Sequence, residues 1–346
     1  VASLAAGCSC GDGMRPPGGP DGGARRDAGV DARGRDAGPG LDAGASDTGD
    51  LDAGPVTVDG GEGTDGGPTS VDAGPGTSDG GVPDGGRPPP GDVRFVVMGD
   101  TGEGNTAQRE VAIQVRDLCA REGCDFVLLL GDNIYDSGVD SVTDSQWTTK
   151  FETPYADIML PFYAVLGNHD YGGSLFGIPY GGLGNEFNRG PIEVAYTAVS
   201  SRWEMPATHY TELYENVGFV MIDTNSIMWA NTENGDQWTW YPTAVADLRA
   251  AGAEWIIVSG HHPYRSNGRH GNAGSYEGIE VGGVVIPNPV PLLNGNNVRS
   301  FFDTVVCGTA DVVFSGHDHN RQWLDEPTAL CGAELIVSGD GAKTTA

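Results

Sequence analysis

The chain has 346 residues and a formal net charge of −29 at pH 7, from 48 acidic and 19 basic side chains. This acidic balance argues against nucleic acids and anionic membranes as partners held by bulk charge. An anionic substrate would therefore need a local positive centre, and a bound metal ion is the expected source.

Residues 1–91 are predicted to form a disordered tail, and residues 92–346 a single catalytic domain. The tail holds 26 Gly and 11 Pro and lacks Phe, Trp and Tyr, so it has too little apolar surface to offset the entropy cost of ordering. Its Asp-Ala-Gly triplets recur at irregular spacing, which indicates biased composition rather than a structural repeat. We interpret it as a solvated tether.

The first residues suggest export. Leu4-Ala5-Ala6-Gly7-Cys8 resembles the end of a bacterial lipoprotein signal peptide, in which Cys8 would be lipidated. An ordinary secretory signal, or two exposed thiols at Cys8 and Cys10, are the alternatives. Because the chain begins with Val1 rather than Met, we expect it to be a fragment at this end. We expect an exported protein, either lipid-anchored in a bacterial-type cell envelope or extracellular.

Five strand-like apolar runs are each followed by glycine and then by Asp, Asn or His. Short apolar runs of this kind predict buried strands, and ligands bind beyond the carboxyl ends of strands in α/β sheets. The runs are 93–98 before Gly99-Asp100, 126–130 before Gly131-Asp132, 161–166 before Gly167-Asn168, 255–259 before Gly260-His261 and 311–314 before Gly316-His317.

A helix is predicted between the first two runs. Val111, Val115 and Leu118 share one face, and Gly123 lies near the expected end. The two strands and this helix would form a βαβ unit with a carboxylate at each strand end.

The remaining pattern predicts one more strand at 218–223 and a helix over 240–251 with Val245 and Leu248 on one face. The stretches 171–210 and 265–300 are rich in Gly and Asn and are interpreted as loops with little regular structure.

The strand ends carry seven side chains of the kinds that bind metals. Any one of them is more often a structural residue, but accidental convergence of all seven is improbable. Carboxylate, phenolate, amide oxygen and imidazole suit iron, manganese or zinc, and sites with a bridging carboxylate commonly hold two metals about 3.5–4 Å apart. The seven are Asp100, Asp132, Tyr135, Asn168, His261, His317 and His319.

These motifs resemble the calcineurin-like metallophosphoesterases and, within them, the small purple (tartrate-resistant) acid phosphatases. The resemblance covers most of residues 92–341 and implies an α/β (α+β) fold, a four-layer α/β/β/α sandwich. Since family members continue with further strands, we expect the C-terminal strands to be truncated here. The matching motifs are Gly99-Asp100, Gly131-Asp132-Asn133-Ile134-Tyr135, Gly167-Asn168-His169-Asp170, Val258-Ser259-Gly260-His261 and Gly316-His317-Asp318-His319.

The resemblance implies two metal sites that share Asp132. The first would hold Fe(III), because a tyrosine phenolate favours ferric iron; its ligands would be Asp100, Asp132, Tyr135 and His319. The second would hold a divalent ion (Fe, Zn or Mn); its ligands would be Asp132, Asn168, His261 and His317.

The resemblance also implies a reaction. A metal-activated hydroxide would cleave phosphomonoesters, as in acid phosphatases, while His169 and His270 contact the phosphate and assist the leaving group. A histidine acting as general acid implies activity skewed to acidic pH. His262 could contact the phosphate as well, but we interpret it as a hydrogen-bonded loop histidine.

Alternative functions remain open at this point. The same centre would serve a phosphodiesterase or nucleotide hydrolase, and a non-catalytic surface-tethered protein is a third hypothesis. The expected partners are small phosphorylated substrates. Cys8 could carry a lipid anchor, and we otherwise expect a monomer.

Four cysteines of the predicted domain suggest two disulfides. In an exported protein, Cys119 would pair with Cys124 and Cys307 with Cys331. Four reduced structural thiols are the alternative.

Overall fold

The computed structural model describes residues 92–281, 284–286, 293–325 and 329–343. The predicted tail, its boundary at residue 91 and the anchor site at Cys8 lie outside the described residues. In the described part of the chain, no helix has both the length and the apolar composition that crossing a membrane requires.

The described residues include fourteen strands and seven α-helices. The strands are β1 (Phe95–Met98), β2 (Phe126–Leu129), β3 (Phe162–Ala164), β4 (Ser174–Leu175), β5 (Ile178–Pro179), β6 (Trp203–Glu204), β7 (Tyr210–Tyr214), β8 (Val217–Met221), β9 (Trp255–Ser259), β10 (Ile279–Val281), β11 (Val284–Ile286), β12 (Val312–Ser315), β13 (Arg321–Leu324) and β14 (Glu334–Ser338). The helices are α1 (Thr106–Glu122), α2 (Ser145–Trp147), α3 (Asn168–Tyr171), α4 (Gly190–Tyr196), α5 (Thr224–Met228), α6 (Gln237–Ala250) and α7 (Asn296–Phe301).

The first large sheet contains the strands of the predicted βαβ unit. Its order is β1-β2-β3-β6, and all of its pairings are parallel. All four residues of β2 are buried. A parallel strand covered on both faces tolerates only apolar side chains, which explains why these strands were predictable as continuous apolar runs.

Helix α1 connects β1 to β2, as predicted, and the predicted face is correct at Val115, which is buried, and at Val111, which packs partly buried against the core. The Asn105 side chain accepts a hydrogen bond from the backbone N–H of Gln108 and caps the first turn, and Gly123 ends the helix with φ 75°. The predicted face included Leu118, which is exposed. Besides Val115, the buried face contains Gln108, Ala112 and Cys119.

The second large sheet has the order β13-β14-β12-β9-β8-β7. Its four central strands run parallel to one another, and the edge strands β13 and β7 are antiparallel to their neighbours. The carboxyl ends of β9 and β12 therefore lie on the same side of this sheet.

Aromatic rings join the two sheets in one core. Phe95 of β1 stacks on Phe126 of β2 at 5.0 Å between ring centroids. Phe219 of β8 meets both rings edge-on at 5.2 Å, and Phe314 of β12 lies 6.1 Å from Phe95. Such contacts contribute beyond their buried area. The prediction of an α/β fold is confirmed, while the four-layer order stays a prediction.

A second apolar cluster covers the other side of the second sheet. Val245 and Leu248 of α6 pack there with Val220, Ile256 and Phe301. Both α6 residues are buried, so the predicted face of this helix is correct.

Both expected disulfides are present. The Cα atoms of Cys119 and Cys124 are 5.0 Å apart, and those of Cys307 and Cys331 are 5.3 Å apart. The second bridge spans 24 residues and encloses the Gly316–His319 loop. The four cysteines are therefore not reduced thiols in this structure.

The two stretches predicted as loops contain more regular structure than expected. Residues 171–210 include β4, β5, α4 and β6, and residues 265–300 include β10, β11 and part of α7. These elements are short, with two to seven residues each. Their formation depends on contacts with distant parts of the chain, so local periodicity does not reveal them.

Candidate metal centre

The loops after five parallel strands meet at one place in the structure. Three of them follow β1, β2 and β3 of the first sheet, and two follow β9 and β12 of the second. They bring all seven predicted ligand side chains together, although the ligands are spread over more than 200 residues of sequence.

Asp100, Tyr135 and His319 form the first group of side chains. The Tyr135 hydroxyl donates a hydrogen bond of 2.9 Å to Asp100 Oδ1. His319 Nε2 lies 3.4 Å from the Tyr135 hydroxyl and 3.5 Å from Asp100 Oδ1. A carboxylate, a phenol and an imidazole nitrogen thus point at one another.

Asp132, Asn168, His261 and His317 form the second group. His261 Nε2 lies 3.4 Å from Asp132 Oδ1, 3.0 Å from Asn168 Oδ1 and 3.1 Å from His317 Nδ1. The other ring nitrogen of His261 contacts the Leu130 carbonyl oxygen at 2.8 Å, which orients the imidazole.

The two groups are in contact. Asp100, Asp132 and His261 each offer one ligand atom, and these atoms lie within 4.8 Å of one another. All three side chains are buried. The donor set therefore fits two hard or borderline metal ions that share a carboxylate.

The glycines before the ligands provide clearance. A Cβ atom on Gly131 would lie 2.7 Å from His261 Nδ1, and one on Gly167 would lie 2.2 Å from Asp132 Oδ1. Side chains at these positions would collide with the ligands of neighbouring strands. The Gly-Asp and Gly-Asn pairs are thus required by close packing of the loops.

Three ligand residues have left-handed backbone conformations. The φ angles are 58° at Asp100, 53° at Asp132 and 69° at His317. Such values cost free energy in residues other than glycine and are concentrated at functional sites. These three residues therefore adopt an unfavourable backbone conformation that places their side chains at the site.

Without a bound ion, the charges of Asp132 and His261 in the second group shift each other's pKa strongly. Burial favours neutral Asp132, but the charges of His261 and His169 outweigh burial and hold the pKa of Asp132 well below its usual range. Burial likewise opposes charge on His261, yet Asp132 raises the pKa of His261 to about 9. A cation bound here would compete with the proton on His261.

His317 has the opposite electrostatic environment. Burial, and then the neighbouring imidazoles of His270 and His262, hold the pKa of His317 well below its usual range. Its imidazole is therefore neutral, which is the form that binds metals.

A cavity of about 350 Å³ opens beside these ligands. His169 and His270, the two histidines predicted to contact the phosphate, both line it. His169 Nδ1 lies 2.7 Å from the Asp136 carbonyl oxygen, and the backbone N–H of His270 donates to Asp318 Oδ1 at 2.8 Å. His262 also lines the cavity, with Nδ1 2.9 Å from the Thr224 hydroxyl.

A family model for calcineurin-like phosphoesterases matches residues 93–321. The chain belongs to the calcineurin-like phosphoesterase family. This family consists of metal-dependent hydrolases, so the prediction of a metal-dependent phosphoric ester hydrolase is confirmed.

Individual relatives of this phosphoesterase are acid phosphatases. It is similar to purple acid phosphatase 4 of Arabidopsis thaliana, with 28% identity over 273 residues that cover 74% of this chain and 70% of the relative. It is also similar to tartrate-resistant acid phosphatase type 5 of Sus scrofa, with 26% identity over 275 residues that cover 72% of this chain and 69% of the relative. The predicted resemblance is confirmed.

Two acidic side chains of this phosphoesterase escaped the prediction from sequence. Glu277 is bonded through Oε1 to His270 Nδ1 and lies 4.0 Å from His317 Nε2, so these three residues form a second group able to hold a cation. No sequence signal marks Glu277, because only the path of its loop brings it to the cavity. Asp318, by contrast, lies between two predicted ligands and could have been considered.

A buried acidic pair supports the ligand loops from behind. Asp170 and Glu193 are both fully buried, and the Asn133 amide donates to them at 3.0 and 3.4 Å. Asp170 also accepts hydrogen bonds from the N–H groups of Gly167 and Ile134. Burial, and then the charge of Asp170, raises the pKa of Glu193 well above its usual value.

We expect Glu193→Gln to stabilise the protein increasingly as pH rises above about 4.5, the ordinary pKa of glutamate. The native Glu193 holds its proton more tightly in the folded state, so its contribution to stability is lost as pH rises, by up to about 1.4 kcal/mol per pH unit. Glutamine is neutral at every pH and avoids this loss. Urea unfolding at pH 5 and pH 7 measures the effect, with exposed Glu110→Gln as the control. A gain that is equal at both pH values would contradict the assignment.

Proposed function

We propose that the chain hydrolyses phosphomonoesters at a centre of two metal ions, with Asp132 as the shared ligand. The observation that carries this proposal is the convergence of seven donor side chains, in two groups, beside a cavity lined by two histidines. Asp100, Tyr135 and His319 would complete one site. Asn168, His261 and His317 would complete the other.

The charges of the two donor groups favour different ions. The first group offers up to three anionic ligands, Asp100, Asp132 and Tyr135. Burial, and then the two carboxylates, raises the pKa of Tyr135 well above its usual value, so only a highly charged cation would displace the phenol proton. This supports Fe(III) in the first group. The second group has one carboxylate and three neutral donors, which suits a divalent ion such as Fe, Zn or Mn.

The residues of the chain would divide the remaining tasks. When bound, two cations supply Lewis acidity, activate water and neutralise the charge of phosphate oxygens. His169 and His270 would contact the phosphate from the cavity wall and give a proton to the leaving group. The relatives named above are acid phosphatases, which supports phosphomonoesters as the substrates.

His270 is the better supported of the two proton donors. Burial opposes charge on its ring, but the hydrogen bond and charge of Glu277 outweigh burial and raise the pKa of His270 above its ordinary value. His169 instead faces the uncharged carbonyl of Asp136. The imidazolium form of His270 supports activity on the acidic side of neutrality.

We expect Asp132→Ala to lower hydrolysis of p-nitrophenyl phosphate at least about 100-fold, because losing even an outer partner of a metal ligand costs 10- to 100-fold. The wild type should prefer this monoester to bis(p-nitrophenyl) phosphate across pH 4–8. Exposed Asp247→Ala is the matched control and should keep full activity. Unchanged monoesterase activity of Asp132→Ala would overturn the proposal, and a preference for the diester would favour a phosphodiesterase instead.

We expect Tyr135→Phe to abolish a visible absorption band of the iron-loaded protein, because phenylalanine removes the oxygen that would donate charge to Fe(III). The ring itself fits the same buried position, so far-UV circular dichroism should be unchanged. Absorption spectra of the two proteins, loaded with iron in parallel, provide the measurement. If the wild type shows a band that persists in Tyr135→Phe, the ligand assignment is wrong.

A further inference from the structure

The chain after β14 returns to the metal centre. The N–H of Gly341 donates to the Gly99 carbonyl at 3.0 Å, and the N–H of Lys343 donates to the Asp100 carbonyl at 3.3 Å. The Asn105 side chain also donates to the Ala342 carbonyl at 3.3 Å. These bonds hold the backbone of Lys343 next to the loop that carries Asp100.

The Lys343 side chain extends over Tyr135. Its Nζ atom lies 3.8 Å from the centroid of the Tyr135 ring, within the range of a cation–π contact. Glu103 Oε1 lies 3.0 Å from the same Nζ, and Asp136 Oδ1 lies 3.8 Å from it. The His169 ring packs against Tyr135 at 4.5 Å between ring centroids.

The position of this ammonium group has an electronic consequence. A positive charge over an aromatic ring stabilises the electrons of the ring, and the stabilisation is larger when the ring is a phenolate. Tyr135 is 1% exposed, so water screens the interaction little on the side of the ring. The charge of Lys343 is shared with Glu103 but is not removed by it.

We propose that Lys343 tunes the electronic properties of Tyr135 and, through it, the iron that Tyr135 would bind. This inference rests on the proposed role of Tyr135 as a metal ligand. Because its ammonium group lies directly over the ring, Lys343 stabilises the phenolate more than the ion beyond it, and so raises the energy needed to move an electron from the phenolate to Fe(III). It also favours the lower oxidation state of the ion, because it adds positive charge beside the centre. Lys343 would thus act through Tyr135 and would not itself contact the substrate.

The test is the visible spectrum and the reduction potential of iron-loaded Lys343→Met. Loss of the charge should move the tyrosine band to longer wavelength, by on the order of 10 nm for a cation–π contact of ordinary strength. The reduction potential should fall. Lys343→Arg keeps the charge and should keep the wild-type spectrum, while exposed Arg121→Met controls for loss of a charge elsewhere.

Glu103→Gln is a second variant, for which we expect a band shift in the opposite direction. It leaves the Lys343 charge less compensated, so the band should move to shorter wavelength. If Tyr135→Phe removes the band but neither Lys343→Met nor Glu103→Gln moves it, the tuning role is wrong while the metal centre stands. If the wild type has no band that depends on Tyr135, the iron assignment itself is wrong, and the tuning role is overturned with it.

Discussion

Buried negative charge at the carboxyl end of β2 is the constraint on which the rest of the site depends. Asp132 has almost no exposed surface, and a ligand atom of the equally buried Asp100 and one of His261 lie within 4.8 Å of its carboxylate. A buried carboxylate without compensation is strongly destabilising, and two carboxylates in one site repel each other. The parallel strands of the two sheets deliver these groups to one place, and the glycines before them allow the loops to approach closely. The proposed pair of cations, shared through Asp132, would satisfy the charge, the geometry and the donor chemistry together.

The strand ends were predictable because three sequence signals coincide there: an apolar run, a glycine after it and then a polar residue. Residues 126–130 form a continuous apolar run, as a buried parallel strand requires, and glycine followed by a polar residue marks where the run ends. Five repetitions of this pattern mark Asp100, Asp132, Asn168, His261 and His317. The resemblance to the purple acid phosphatases added Tyr135 and His319. The α/β class followed from the same runs, since short apolar strands separated by helical segments imply parallel sheets.

The features that sequence did not reveal depend on contacts between distant residues. The buried face of α1 includes Cys119, which is bonded to Cys124, whereas Leu118 is exposed despite its apolar side chain. Glu193 lies on a short helix in a stretch interpreted as loop, and it acquires its role only by packing against Asp170. Glu277 and Lys343 reach the centre through the paths of their loops, which no local period encodes.

A pair of metal ions bridged by Asp132 is the proposal on which the function depends. X-ray diffraction from crystals of the purified protein, with anomalous data collected at the iron and zinc absorption edges, tests it most directly. We expect two anomalous peaks per chain about 3.5–4 Å apart, with Asp132 in contact with both and Tyr135 in contact with the iron. A single peak, or two peaks of which only one contacts Asp132, would contradict the proposed bridging role of Asp132.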